Sequence, residues 1–252
     1  MAAQVGRSHR VRNFLDGLAA GVMIVASVVV IWVSLRTGLR PPTGSMAISS
    51  GTPAPAPAEA VSLRGAWLRG KDGAKVALIE YSDFECPHCA VVAQQSLPLL
   101  LAKYVDTGQV LFAFHPLPLE RLHPMALKAA EAAECSGRQG RFWQMHDRLF
   151  RNRTSLDETV LGRLASEIGL DSTQFAACLN GLAAAAVQHD ISEAKALQIN
   201  GTPTFLLGTL TSDGRVRVAH RVSGAVPFEA LSRMLDGLLA SPKSVDRVGT
   251  TP

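Results

Sequence analysis

Charge is scarce in this sequence and unevenly placed. Asp, Glu, Lys and Arg make up 18% of the 252 residues, while 47% are hydrophobic. That composition suits a packed core and argues against disorder over most of the chain. The formal net charge is +4, and the first 40 residues carry all of it, with Arg7, Arg10, Arg12, Arg36 and Arg40 against Asp16 alone. The remainder holds 20 basic and 20 acidic residues. The globular part therefore has no net charge to attract phosphate, and no nucleic-acid partner is expected. Cysteine is scarce too, limited to Cys86, Cys89, Cys135 and Cys178. None closely follows the N-terminal apolar run, which excludes a lipoprotein. No internal repeat is visible.

The one long hydrophobic run is Gly17 to Leu35, 19 residues without a charge. As a helix rising about 1.5 Å per residue it nearly spans a hydrocarbon layer of about 30 Å. Basic residues flank it, with Arg7, Arg10 and Arg12 before and Arg36 and Arg40 after, which favours an inside N-terminus. Ser45-Met46-Ala47 has the residues of a cleavage site but lies far past the run, so an uncleaved anchor is the better reading. The expected order is a basic cytoplasmic tail at 1–16, a transmembrane signal anchor at 17–35 and a Pro/Ala-rich tether at 36–62. A folded domain follows at 63–241, then a flexible tail at 242–252. This places the protein in the bacterial cytoplasmic membrane as a single-pass chain, its domain on the periplasmic or extracellular side. All four cysteines would then face an oxidising compartment.

Within the domain, Lys75 to Tyr81 reads as a buried strand and Val91 to Tyr104 as a helix, with Pro87 in its first turn. Gln109 to Phe114 reads as a second strand, parallel to the first. Residues of about 120–198 look helical. Arg141 to Phe150 forms one amphipathic segment, and Ser155 with Glu158 and Asp171 with Gln174 have capping-box spacing. Thr204 to Leu207 is a strand, Gly208 to Gly214 a turn, Arg215 to Val222 a strand and Pro227 to Leu239 a closing helix. The fold class is α/β with a helical insertion.

Cys86-Pro87-His88-Cys89 lies at the junction of a strand and a helix. A cysteine at a helix start has free N–H groups and the helix dipole to stabilise its thiolate. The second cysteine is near enough to close or resolve a disulfide. Zinc would want a second close Cys/His pair, and neither Cys135 nor Cys178 has a ligand-spaced neighbour, so no metal is expected. His88 as imidazolium would favour the Cys86 thiolate, whereas Glu80, Asp83 and Glu85 oppose it. The remaining histidines His115, His123, His146, His189 and His220 read as structural.

Glu80-Tyr81-Ser82-Asp83-Phe84-Glu85-Cys86-Pro87-His88-Cys89 resembles the DsbA-like branch of the thioredoxin superfamily. Gly201-Thr202-Pro203-Thr204-Phe205 is similar to that branch's cis-proline segment, and Phe142-Trp143-Gln144-Met145-His146-Asp147 to part of its helical insertion. The resemblance covers roughly residues 68–240. It implies a thioredoxin fold and dithiol–disulfide exchange, with Cys86 as nucleophile and Cys89 as resolving thiol. Pro203 would be a cis-proline beside them, and the Thr202 backbone would pair with substrate. Glu80 would be a buried acid that relays a proton. Members of the branch carry a disulfide in the helical domain, so Cys135 and Cys178 are expected to pair. No cofactor is needed beyond the redox-active disulfide. The implied partners are exported proteins with free thiols and a membrane reoxidant, quinone-linked, or else a reductant. The same chemistry run as a reductase or isomerase, and a non-catalytic binding module, are the alternatives.

Overall fold

The computed structural model describes residues 60–240. The N-terminal tail, the apolar run, nearly all of the tether and the C-terminal tail lie outside the described residues. Among those described, no helix is long and apolar enough to cross a membrane.

Five strands form one sheet in the order β1-β3-β2-β4-β5. They are β1 (Trp67–Arg69), β2 (Val76–Ser82), β3 (Val110–Pro116), β4 (Thr204–Leu210) and β5 (Val216–Ser223). β2 is central and buried along its whole length, which is why it reads as a mostly apolar run without alternation. It pairs parallel with β3 and antiparallel with β4. The edge strands β1 and β5 pair antiparallel with β3 and β4.

Residues 87–105 form α1, which joins β2 to β3. It alternates α-helical segments (Pro87–Val91, Leu97–Leu100) with wider π turns (Val92–Ser96, Leu101–Val105). Between β3 and β4 stands the helical insertion: α2 (Ala126–Gly137), α3 (Phe142–Arg151), α4 (Glu158–Glu167), α5 (Ser172–Ala177) and α6 (Ala184–Ala196). α7 (Phe228–Ala240) closes the domain.

Side-chain alternation splits the core across the sheet. Val76 and Leu78 pack with Phe112, Phe114, Phe205, α1, α7 and most of the insertion. Ala77, Ile79 and Tyr81 pack on the opposite side with Ala194, Ile199 and Leu206. α7 is pinned to α1 by the Tyr104 hydroxyl, which donates to Asp236 Oδ1 at 2.7 Å.

Two local expectations are corrected and one element is added. Gly208 belongs to β4 and not to a turn; it faces the Arg217 carbonyl at a register shift, where a Cβ would collide. The cap of α4 is Asp157, whose carboxylate accepts from Val160 N–H at 2.7 Å, and not Ser155. Strand β1 is an addition. Its Trp67 stacks on Phe142 at 4.5 Å, donates to Glu134 Oε2 at 3.1 Å, and lies where a side chain at residue 137 would stand, hence Gly137. Asp171 does cap α5, accepting from Gln174 N–H at 2.8 Å.

Candidate active site

The C-terminal end of β2 runs into α1 through a short loop, Asp83 to Cys86. Cys86 sits at the N-cap of α1 in extended conformation, and Pro87 opens the helix where its missing N–H costs no bond. Phe84 anchors the loop by packing on Phe114 and on His146 and Phe150 of α3. The insertion thus holds the loop from one side, through the segment that contains Trp143.

Both cysteines of the motif are free thiols and buried, Cys86 at 4% exposure and Cys89 at 0%. What little exposure remains belongs to Cys86. Opposite them, the Thr202–Pro203 peptide is cis, and the Thr202 carbonyl lies 3.5 Å from Cys86 Sγ. The segment before β4 is therefore brought against the dithiol across 116 residues of sequence.

Electrostatics separates the two thiols. Cys86 is lowered from 9.0 to about 5, first by a hydrogen bond from the Cys89 thiol. The backbone N–H of Cys89, the Thr202 side chain and the backbone N–H of His88 add to this, and burial opposes it. Burial, followed by the hydrogen bond to Cys86, pushes Cys89 strongly up. The Asp83 N–H donates to Cys89 Sγ at 3.5 Å. This is the arrangement of one activated sulfur and one held as a thiol.

Glu80 is buried in β2, and neither carboxylate oxygen has a hydrogen-bond partner. By strand alternation it shares the face of Val76 and Leu78, the one α1 covers. Burial raises its pKa from 4.5 to about 7, with Ser82 opposing. His88 is exposed, and its ring has no hydrogen-bond or ion-pair partner among the described residues. Its contribution to Cys86 comes from its backbone N–H.

Cys135 and Cys178 are joined by a disulfide with a Cα–Cα distance of 5.7 Å. It links the C-terminal part of α2 to the kinked Cys178–Leu182 segment after α5, inside the insertion.

Sequence reading missed the residues that brace the loop. Asp83 and Glu85 figured only as charges opposing a thiolate, and His123 as a structural histidine. In the structure Asp83 Oδ2 accepts from Leu119 N–H and His123 Nδ1, both at 2.8 Å. Glu85 caps the Met125 N–H, and its carbonyl accepts from Arg153 at 3.2 Å. The one local signal was Asp83 two residues before Glu85, an Asx-turn spacing. As for metal ligands, His115, Asp190 and Glu193 bring donor atoms within 4.8 Å of one another. His115 Nδ1 is committed there to Asp190 at 2.9 Å, a buried pair that ties β3 to α6.

A family model described as Thioredoxin matches residues 63–236. The chain is 26% identical to alpha-DsbA1 of Wolbachia pipientis, with a TM-score of 0.63 over 71% of this chain and 93% of that one. Oxidised BdbD of Bacillus subtilis aligns with a TM-score of 0.63 over 74% and 99% at 22% identity, a likeness of fold alone. Among curated proteins, the Na(+)/H(+) antiporter NhaA 3 of Salinispora tropica is 35% identical over 186 residues, 73% of this chain and 26% of the antiporter. NhaA 1 of Mycolicibacterium gilvum is 35% identical over 143 residues, 56% and 23%. The chain spans about a quarter of the length of these curated relatives.

Proposed function

The chain belongs to the thioredoxin family, and from that premise we propose that it is a DsbA-like oxidase, donating a disulfide to exported proteins outside the cytoplasm. The observation that carries this reading is the split between the two sulfurs, with Cys86 lowered to about 5 and Cys89 raised beside it. Stabilising a thiolate stabilises the reduced pair against the disulfide, which makes the disulfide a stronger oxidant.

The exchange runs in two steps. A substrate thiolate attacks Cys86 Sγ of the Cys86–Cys89 disulfide, and the S–S bond breaks with its electron pair on Cys89. A sulfur with so high a pKa leaves best when protonated, and Glu80, with a pKa near pH 7, is the buried acid suited to supply that proton. The substrate's second thiolate then attacks its own mixed-disulfide sulfur. Cys86 departs as a thiolate, a stable leaving group, and the substrate keeps the disulfide. The two electrons now on Cys86 and Cys89 pass to a membrane reoxidant, quinone-linked. The Thr202 backbone beside Pro203 offers an extended substrate its main-chain pairing. His88 acts on Cys86 through its backbone N–H, its ring being exposed to screening water.

The curated relatives are Na(+)/H(+) antiporters matched over about a quarter of their length, and the proposed anchor at residues 17–35 rests on its own uncharged run and basic flanks. The reductase reading needs a potential closer to thioredoxin's, about −270 mV, than this thiolate favours. The test is trapping. Cys89→Ala accumulates substrate-linked mixed disulfides through Cys86, and Cys86→Ala forms none and loses exchange activity. Trapped complexes with Cys86→Ala and none with Cys89→Ala would reverse the roles and overturn the reading.

A further inference from the structure

Asp83 is 1% exposed and holds the dithiol loop from both sides. Its Oδ1 accepts from Glu85 N–H at 2.8 Å, its carbonyl from Cys86 N–H at 3.1 Å, and its own N–H donates to Cys89 Sγ at 3.5 Å. These contacts are local. The other carboxylate oxygen is held from a distance: Leu119 N–H and His123 Nδ1 each lie 2.8 Å from Oδ2. The Leu119 donor is main chain, and no side-chain substitution short of proline removes it. The His123 donor is a side chain, 19% exposed, from a segment 40 residues away. Without His123, Oδ2 of this buried carboxylate keeps only the Leu119 N–H, one charge-assisted hydrogen bond fewer, and it recovers a second donor only by rotating or by drawing in water. Either response moves the backbone that presents the Asp83 N–H to Cys89.

We propose that His123 is a positioning residue of the dithiol site, holding Asp83 so that its backbone N–H stays on Cys89 Sγ and its carboxylate stays satisfied away from the sulfurs. This rests on the thiol-exchange reading above. His123 touches neither sulfur and acts only through Asp83. Loss of its donor weakens the N–H contact to the reduced pair and leaves Asp83 more negative beside it. Both effects destabilise the reduced form relative to the disulfide, so they lower the potential in the same direction.

The test is the equilibrium constant of the full-length protein's dithiol against glutathione, measured for wild type, His123→Ala, His123→Asn and His123→Gln, with thermal unfolding run on each. The Asn amide nitrogen stands near the position of Nδ1 and keeps the donor; the Gln amide reaches past it and does not. The expected result is a tenfold fall in the oxidising equilibrium for His123→Ala and His123→Gln, equivalent to about 30 mV, with His123→Asn within twofold of wild type. A role in stability alone would change unfolding while leaving the potential in place. An unchanged potential in His123→Ala, or equal shifts in Asn and Gln, overturns the proposal. If the alanine variant does not fold, the Asn–Gln comparison decides the question by itself. These ratios are read from the wild-type value whatever it is, so a thioredoxin-like wild-type potential would remove the oxidase reading while the positioning role is still judged by the differences.

Discussion

Glu80 is an acid inside a strand that is buried throughout, and Ser82 offsets that burial only in part. Its pKa in the fold is about 7 against 4.5 unperturbed. Between those values the folded protein holds a proton that the unfolded chain has released, so stability falls as pH rises. The stabilising protonation is complete below about pH 4.5 and is lost as pH passes through 7, a change of about 3 kcal/mol for a shift of this size. We expect urea unfolding of the oxidised protein, in which neither Cys86 nor Cys89 titrates, to show that decline between pH 4.5 and 8. Glu80→Gln should remove most of it. An equal slope in the variant would mean that Glu80 is not the titrating group. The same residue illustrates what a sequence can show. Its spacing from Cys86 and its place in an apolar run marked it as a buried acid. The partners of Asp83 were hidden, because nothing local says that a histidine 40 positions on will fold back against it.

At the level of elements, β2, α1, β3, β4, β5 and α7 follow from periodicity and turn residues to within a few positions. β1 was invisible because it has three residues, none buried, and is a strand only by pairing with β3. Gly208 misled because glycine usually marks a turn, whereas here the lack of a Cβ lets β5 approach at a register shift. The insertion was legible as helical, but the way its helices are tied together was not, since that depends on contacts distant in sequence. The Cys135–Cys178 bond is one such tie, across 43 residues. Closing a loop of this length limits the unfolded chain by about 4 kcal/mol in the chain-entropy model. The double variant Cys135→Ala/Cys178→Ala should lose stability of that order by denaturant unfolding and keep the same Cys86–Cys89 potential. A potential moved along with stability would mean that the bond also shapes the site.

For the whole molecule, the proposed function joins an extracytoplasmic redox domain to a membrane anchor. The basic flanks and uncharged run at 17–35 predict that the full chain stays in the membrane fraction after carbonate washing, with the domain open to external protease. A mature N-terminus at or near Ile48 would show a cleaved signal instead. The central claim concerns the dithiol, and its most direct measurement is the reduction potential of the full-length protein in a glutathione buffer. A Cys86 thiolate with a pKa near 5 favours the reduced form at pH 7 by about 100-fold over a thiol near 9, worth about 60 mV. The expected potential lies well above thioredoxin's value of about −270 mV and toward the value of about −120 mV found for DsbA. A potential as negative as thioredoxin's, with Cys86 titrating above pH 8, would contradict the oxidase reading.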